Sequence, residues 1–527
     1  MHLVVLALAL ALFMHDQFAG QGVTGQLTGW QLVGVVLLPK IAVGLAYWIF
    51  CKLILQRLGR GNTPRLMRMV GLAGWVIRIA VVKLFILDLY YNALTELRLF
   101  MGDWILIDEI VLLLPSLALI VGTWIAYYPI ERRLREAMLL RQLDEGRPIF
   151  PVWTRRQFLI SQLRHQLALV GVPVLALMAW SEVVATFGPM LLPNSISGYL
   201  PYITLVGAGG IFLVSPLIIQ LVWDTQPLPA GELRDRLLAL CKKYNVKVRK
   251  LLLWRTYGGM INAAVMGVMP RLRFILLTDA LLESVPDDQV EAVMAHEIGH
   301  VRKYHMFWLI FAAAGLMALL QWVFGIALTL AFNALPEPGS AAAWLEPIIP
   351  YVKDQQTLQL TVVIATLLVW ALMFGWISRR FERQADTFAV AHLAERDAAQ
   401  SPTQVTPQAV AGMIDALQHV ADLNQIPTSK GSWRHGSILW RQAYLAGLVD
   451  QPTDRLQINT VVRRINLAMA GVFIVLLVMH FYGSDLVESI GIEMAGLPQE
   501  PWPAFAMAGG LLVGLHRLIL RNSTAGL

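Results

Sequence analysis

The chain has 527 residues, 57% of them hydrophobic and only 15% charged, with a formal net charge of +7. Soluble domains average about 45–50% apolar and about 25% charged residues, so this chain lacks the polar surface that a water-borne globule needs. These figures exclude disorder and a collagen-like repeat. Cys51 and Cys241, the only cysteines, exclude a disulfide scaffold. The surplus apolar surface must face lipid.

A crossing needs about 20 mostly apolar residues. Ten segments qualify: Leu3–Phe18, Gln31–Cys51, Met69–Leu94, Trp104–Tyr128, Gln166–Phe187, Leu200–Trp223, Met306–Leu335, Leu358–Ile377, Ile465–Tyr482 and Pro503–Leu520. The first is short and lacks a basic flank. It is read as a retained span, with the core of a signal peptide as the alternative.

Charge sets the orientation. Lys52–Arg68 holds five Lys/Arg and Pro129–His165 holds eight, whereas the alternate connections hold only Arg98 and Lys353. The positive-inside rule therefore predicts that both chain ends and both large polar segments are cytoplasmic. This alternation also accounts for the net charge without a nucleic-acid partner. Lys40, Arg78, Lys83, Asp108, Glu109 and Glu182 fall within or near spans; ionisable groups there are costly and point to a water-filled chamber.

The pattern predicts a mostly α, polytopic helical membrane protein of about ten spans, with a cytoplasmic α+β domain built from two segments. Residues 1–223 form the N-terminal membrane region with about six spans. Residues 224–305 are the first segment of the domain, 306–377 a transmembrane hairpin, 378–464 the second segment, and 465–527 a C-terminal hairpin. In the first segment, Glu232–Tyr244 has helical periodicity, and Val248–Trp254, Asn262–Gly267 and Leu272–Leu277 read as strands. Ser284-Val285-Pro286-Asp287 then predicts a helix start with a capping serine and early acids. Ser401–Pro407 and Gln425–Ser432 read as loops.

That helix carries His296-Glu297-Ile298-Gly299-His300. Positions four apart lie about 40° apart on one helical face, so both imidazoles can reach one Zn²⁺ and leave Glu297 beside the open position as a base. A His₂Glu zinc site needs a carboxylate from another element. After the hairpin, Ser378-Arg379-Arg380-Phe381-Glu382-Arg383-Gln384-Ala385-Asp386 places Glu382 and Asp386 on one face, able to supply a ligand and an acceptor for a histidine N–H. His305, His392, His419 and His480 have no ligand-spaced partners and are left outside the site.

SRRFERQAD after HEIGH across a membrane hairpin resembles the family of HtpX and the type-I CAAX prenyl protease, integral-membrane zinc metallopeptidases of the gluzincin type. Asn262-Ala263 with Gly267, the approach LTDALLES, and His435 followed by Arg441 extend the resemblance over about Glu232–Leu445. It implies one zinc on His296, His300 and Glu382, Glu297 as general base and acid, and Asp386 as the group orienting a ligand. It also implies an edge strand at Asn262-Ala263 that pairs with substrate backbone, and His435 and Arg441 across the cleft as donors to the scissile carbonyl or oxyanion. Family members usually carry prolines after the histidine, where this chain has Gly436-Ser437.

The expected activity is zinc-dependent endopeptidase cleavage of membrane-associated proteins or peptides at the cytoplasmic face. The membrane is the inner membrane in a bacterium, where the role is membrane-protein quality control, or the endoplasmic reticulum in a eukaryote. Two alternatives remain: CAAX-type processing, and a polytopic transporter whose cytoplasmic domain senses metal. The transporter leaves both Glu297 and the Glu382–Asp386 pair unexplained.

Overall fold

The computed structural model describes residues 2–13, 15, 29–58, 63–144, 152–193, 198–257, 259–333, 355–397, 404–453 and 455–489. Among these residues eight helices have the length and composition of membrane spans. They correspond to eight of the ten predicted segments. In the first predicted segment the described residues form a 12-residue apolar helix, His2–Phe13, shorter than the length that a crossing needs at 1.5 Å per residue. The last, Pro503–Leu520, lies outside the described residues.

The chain divides into two units, Met1–Thr225 and Gln226–Leu527. The first is helical: α1 (His2–Phe13), α2 (Trp30–Arg57), α3 (Thr63–Tyr90), α4 (Ala93–Met101), α5 (Ile107–Asp144), α6 (Arg155–Leu191, with a π-turn at Leu163–Ala168) and α7 (Leu200–Val222). Helix α6 starts where Thr154 and Gln157 form a capping box, each side chain accepting from the other's backbone N–H. The ionisable groups near the spans are mostly paired. Lys40 Nζ lies 2.8 and 2.7 Å from the two carboxylate oxygens of Asp88, both residues buried, and Arg98 binds both Asp108 and Glu109. Partnering of this kind lowers the cost of placing charge at membrane depth.

The second unit opens on a four-stranded sheet in the order β1-β2-β4-β3, where β1 is Thr225–Pro227, β2 Lys250–Trp254, β3 Ala263–Met266 and β4 Phe274–Thr278. Between β1 and β2 runs α8 (Glu232–Lys243). Strand β4 is buried at every position, as its run FILLT demands. It pairs parallel with β2 and antiparallel with β3, which forms the sheet edge. The β3–β4 turn needs Gly267: its φ is +96°, and a Cβ there would sit 2.3 Å from the Leu272 carbonyl oxygen. Buried Arg273 fastens the same turn by donating to the carbonyls of Gly267, Val268 and Lys247.

After the sheet come α9 (Asp279–Ser284) and α10 (Asp287–Arg302). Ser284 is not the expected cap of α10. It ends α9, and α10 starts at Pro286 with no side-chain cap; Asp287 and Asp288 in its first turn favour the positive helix end instead. The hairpin helices α11 (His305–Asn333) and α12 (Gln355–Asp397) pack side by side, and α12 continues past its apolar stretch to lie against α10. Then follow α13 (Pro407–Leu423), α14 (Ile438–Ala446) and α15 (Gln457–Ser489). Phe307, Phe311, Phe374, Phe381, Ile458 and Val462 form a buried cluster joining α11, α12 and α15 beneath the site.

Candidate metal centre

Helices α10 and α12 meet where glycine and alanine face each other. A Cβ on Gly299 would lie 3.2 Å from the Ala385 Cα and 3.1 Å from the Phe388 Cβ. The glycine between the two histidines of HEIGH thus sets how closely the helices approach. That approach brings Glu382 to the imidazoles: His296 Nε2 lies 3.6 Å from Glu382 Oε2, His300 Nε2 lies 3.7 Å from Glu382 Oε1, and the two Nε2 atoms are 3.1 Å apart. Ligands about 2.1 Å from a tetrahedral zinc are separated by about 3.4 Å, so the donor types and the triangle both fit such an ion. Among the described residues this is the one grouping of three or more His, Cys, Asp or Glu able to hold a metal.

The surrounding groups hold these three side chains in place. His296 Nδ1 lies 2.9 Å from Asp386 Oδ1, at ion-pair distance but off the ring's N–H direction. Asp386 also accepts from Arg441 Nε at 2.8 Å and from Nη2, and Arg441 Nη1 stands 3.7 Å from Glu382. Arg441 is therefore buried beside Glu382 and Asp386, with its fork occupied by Asp386. Burial opposes charge on His296, but its contacts with Asp386 and Glu382 prevail and lift its pKa to about 9. Burial holds the His300 imidazole well below its usual range, so it is neutral and fit to ligate.

Glu297, one residue past the first histidine, is pushed up to about 6 by burial, with His296 opposing and Glu382 reinforcing the shift. Its Oε2 accepts from the Val265 N–H of the edge strand at 3.2 Å. The strand itself is well anchored. Asn262 uses its backbone N–H and C=O on Thr278, and Asn424 clasps Ile261 through both of that residue's backbone groups. By the alternation of an antiparallel ladder, Asn262, Ala264 and Met266 bond to β4, while Ala263 and Val265 turn their backbone groups outward. Asn262 is left with an exposed side chain, and Ala263 with the outward backbone.

His435 sits on a loop 54% exposed, with Nδ1 2.9 Å from Glu382 Oε1. Trp433 plugs this loop onto α12, donating to the Ala371 carbonyl and packing over Gly375, while Arg379 donates to the Trp433 carbonyl. The structure also adds His305, which the sequence reading set aside and which bonds to His300. The signal was hidden by a helix break: α10 ends at Arg302, Tyr304 takes a left-handed φ of 57°, and α11 begins at His305. His392, also set aside, bonds Glu291 on α10.

A buried carboxylate thus stands beside three residues able to hold a metal, in a chain with eight span-length apolar helices among the described residues. Residues 227–419 match the sequence profile of Peptidase family M48. A CAAX prenyl protease 1 homolog of Arabidopsis thaliana is 30% identical over 181 residues, covering 34% of this chain and 40% of that protein. A protease HtpX homolog of Aeropyrum pernix is 28% identical over 232 residues, covering 43% and 67%. The crystal structure of S. mikatae Ste24p aligns at 15% identity and a TM-score of 0.34, over 78% of this chain and 98% of that one. The chain spans less than half the length of the plant relative. It carries a Peptidase family M48 domain and is a multi-pass membrane protein.

Proposed function

We propose that this chain is a zinc-dependent endopeptidase that cleaves membrane-associated proteins at the cytoplasmic face, in membrane-protein quality control. The observation that carries the reading is the convergence of His296, His300 and Glu382, drawn from both sides of a membrane hairpin, with their ligand atoms all within 4.8 Å of one another. These three residues would hold the ion. Zinc bound there supplies a Lewis acid for the substrate carbonyl and lowers the pKa of water.

The remaining chemistry belongs to the chain. Glu297, its pKa pushed up to about 6 by burial, takes the proton of the attacking water and returns it to the leaving amine. Ala263 offers its outward backbone to an extended peptide, an attachment that tolerates many side chains, and the exposed Asn262 amide flanks it. His435, on the exposed loop, donates to the developing oxyanion. Asp386 and Arg441 hold His296 and Glu382 in place. The cytoplasmic assignment rests on the basic connections Lys52–Arg68 and Pro129–His165. His300 lies five residues before the start of a span-length helix, which favours substrates held at the bilayer.

The test is metal analysis of the purified full chain together with cleavage of a casein-type substrate, with and without chelator. One zinc per chain and chelator-sensitive cleavage are expected; a metal-free protein, or cleavage indifferent to chelation, sinks the reading. The name of the plant relative favours a second substrate class, prenylated C-terminal peptides. Comparing a farnesylated CAAX peptide with an unlipidated membrane-protein loop separates the two.

A further inference from the structure

Behind His300 runs a chain of polar groups, buried at His305 and Gln384 and half-buried at Asn459, that the proposed reaction does not use. His300 directs Nε2 at the cluster, and its Nδ1 lies 2.9 Å from His305 Nδ1. His305 is fully buried and stacks on Phe381, ring centroids 4.5 Å apart and planes within 5°. Its Nε2 lies 2.8 Å from Gln384 Oε1, and Gln384 Nε2 donates to Asn459 Oδ1 at 2.8 Å.

Each bond fixes the direction of the next. Gln384 gives its N–H to Asn459, so its oxygen accepts from His305 Nε2–H. His305 Nδ1 is then bare and accepts from His300 Nδ1–H. A neutral imidazole carries one N–H, so His300 keeps its lone pair on Nε2, the atom that faces the cluster. The opposite polarity would put a proton on that atom and block ligation. We infer that His305, Gln384 and Asn459 are positioning residues that hold His300 in its metal-binding tautomer and ring orientation.

This inference rests on the zinc reading above and extends it. Four residues of one stretch of α12 then serve both imidazoles. Glu382 completes the triangle, Asp386 backs His296, Phe381 supports the His305 ring, and Gln384 reaches His300 through His305. Partners of metal-bound histidines typically contribute about 10–100-fold to metal affinity.

The test measures zinc affinity of the purified full chain by competition with a chromophoric chelator, and the absorption of the Co²⁺-substituted protein. His305→Phe, which keeps the stacking but cannot accept, and Gln384→Met are expected to weaken zinc binding about 10–100-fold and to alter the Co²⁺ spectrum. Gln384→Glu keeps the acceptor in the same volume and is expected to bind zinc within about threefold of the parent, a small change on that scale. Parental affinity in His305→Phe, or Gln384→Glu as weak as Gln384→Met, overturns the inference. His300→Ala separates the two levels. Loss of zinc there, with His305→Phe unaffected, removes the positioning chain alone, while zinc retained in His300→Ala removes the ligand assignment beneath it.

Discussion

Glu297 accepts a hydrogen bond from the backbone N–H of Val265, which ties the candidate base to the strand proposed to align the substrate. Glutamine in its place can still accept that bond but cannot take up a proton. Glu297→Gln should therefore bind zinc like the parent and lose about 10²–10⁴-fold in cleavage. Single-turnover cleavage and metal analysis on the same preparation check this, and cleavage at the parental rate would falsify the base assignment.

The approach of α10 to α12 depends on the missing side chain at Gly299. The atoms that a Cβ would meet are the Ala385 Cα and the Phe388 Cβ, at 3.2 and 3.1 Å, and neither can swing aside. Gly299→Val should cost about 1–3 kcal/mol in packing and weaken zinc binding by separating Glu382 from the imidazoles. Gly471→Ala, where no atom lies within 4 Å of the added carbon, is the matched control and should change neither. Equal zinc affinity in both variants would count against this packing role.

Loss of a donor to an oxyanion typically costs about 10²-fold in rate. His435→Ala should lower cleavage by about that factor with zinc affinity nearly unchanged. Gly375→Leu should do the same from a distance, because an added Cβ would lie 2.5 Å from the Trp433 indole nitrogen and dislodge the loop carrying His435. If His435→Ala instead strips the metal, its role lies with Glu382, 2.9 Å away.

Five residues before His296, Glu291 links α10 to α12 and α8. His392 donates to one oxygen, Arg236 to the other, and Arg396 stands 3.9 Å off. The bond from His392, against burial and with help from Arg236, pulls its pKa down to about 2. Asp288 shares the Arg236 guanidinium. A carboxylate with a lowered folded pKa stabilises the fold above its unfolded value of about 4.3 and loses that contribution as pH falls toward 2. The melting temperature of Glu291→Gln should lie below that of the parent at pH 7. The gap should close between about pH 4 and pH 2; a gap independent of pH would show that the effect is steric.

The parts of the site legible in the sequence are those governed by a single helix's periodicity. His296 and His300 share a face of α10, and Glu382 and Asp386 share a face of α12, because four residues make about one turn. The strand positions were legible from short β-branched and apolar runs between turn residues. His305 was not legible, since it meets His300 across the helix break at Tyr304 and not through helical spacing. Gln384 and Asn459 carry no charge pattern that would mark them. Ser284 misled because a short helix precedes α10 and claims it. Strand β1 has three residues, too few for any alternation to emerge.

Because Glu382 lies late in α12 and both histidines lie in α10, ahead of the hairpin, a nascent polypeptide leaves the ribosome with two of the three candidate donors before the third exists. Chains stalled before the end of the hairpin hold an incomplete donor set. On the proposed reading, cutting competence would thus begin only once the second helix of the hairpin has been made.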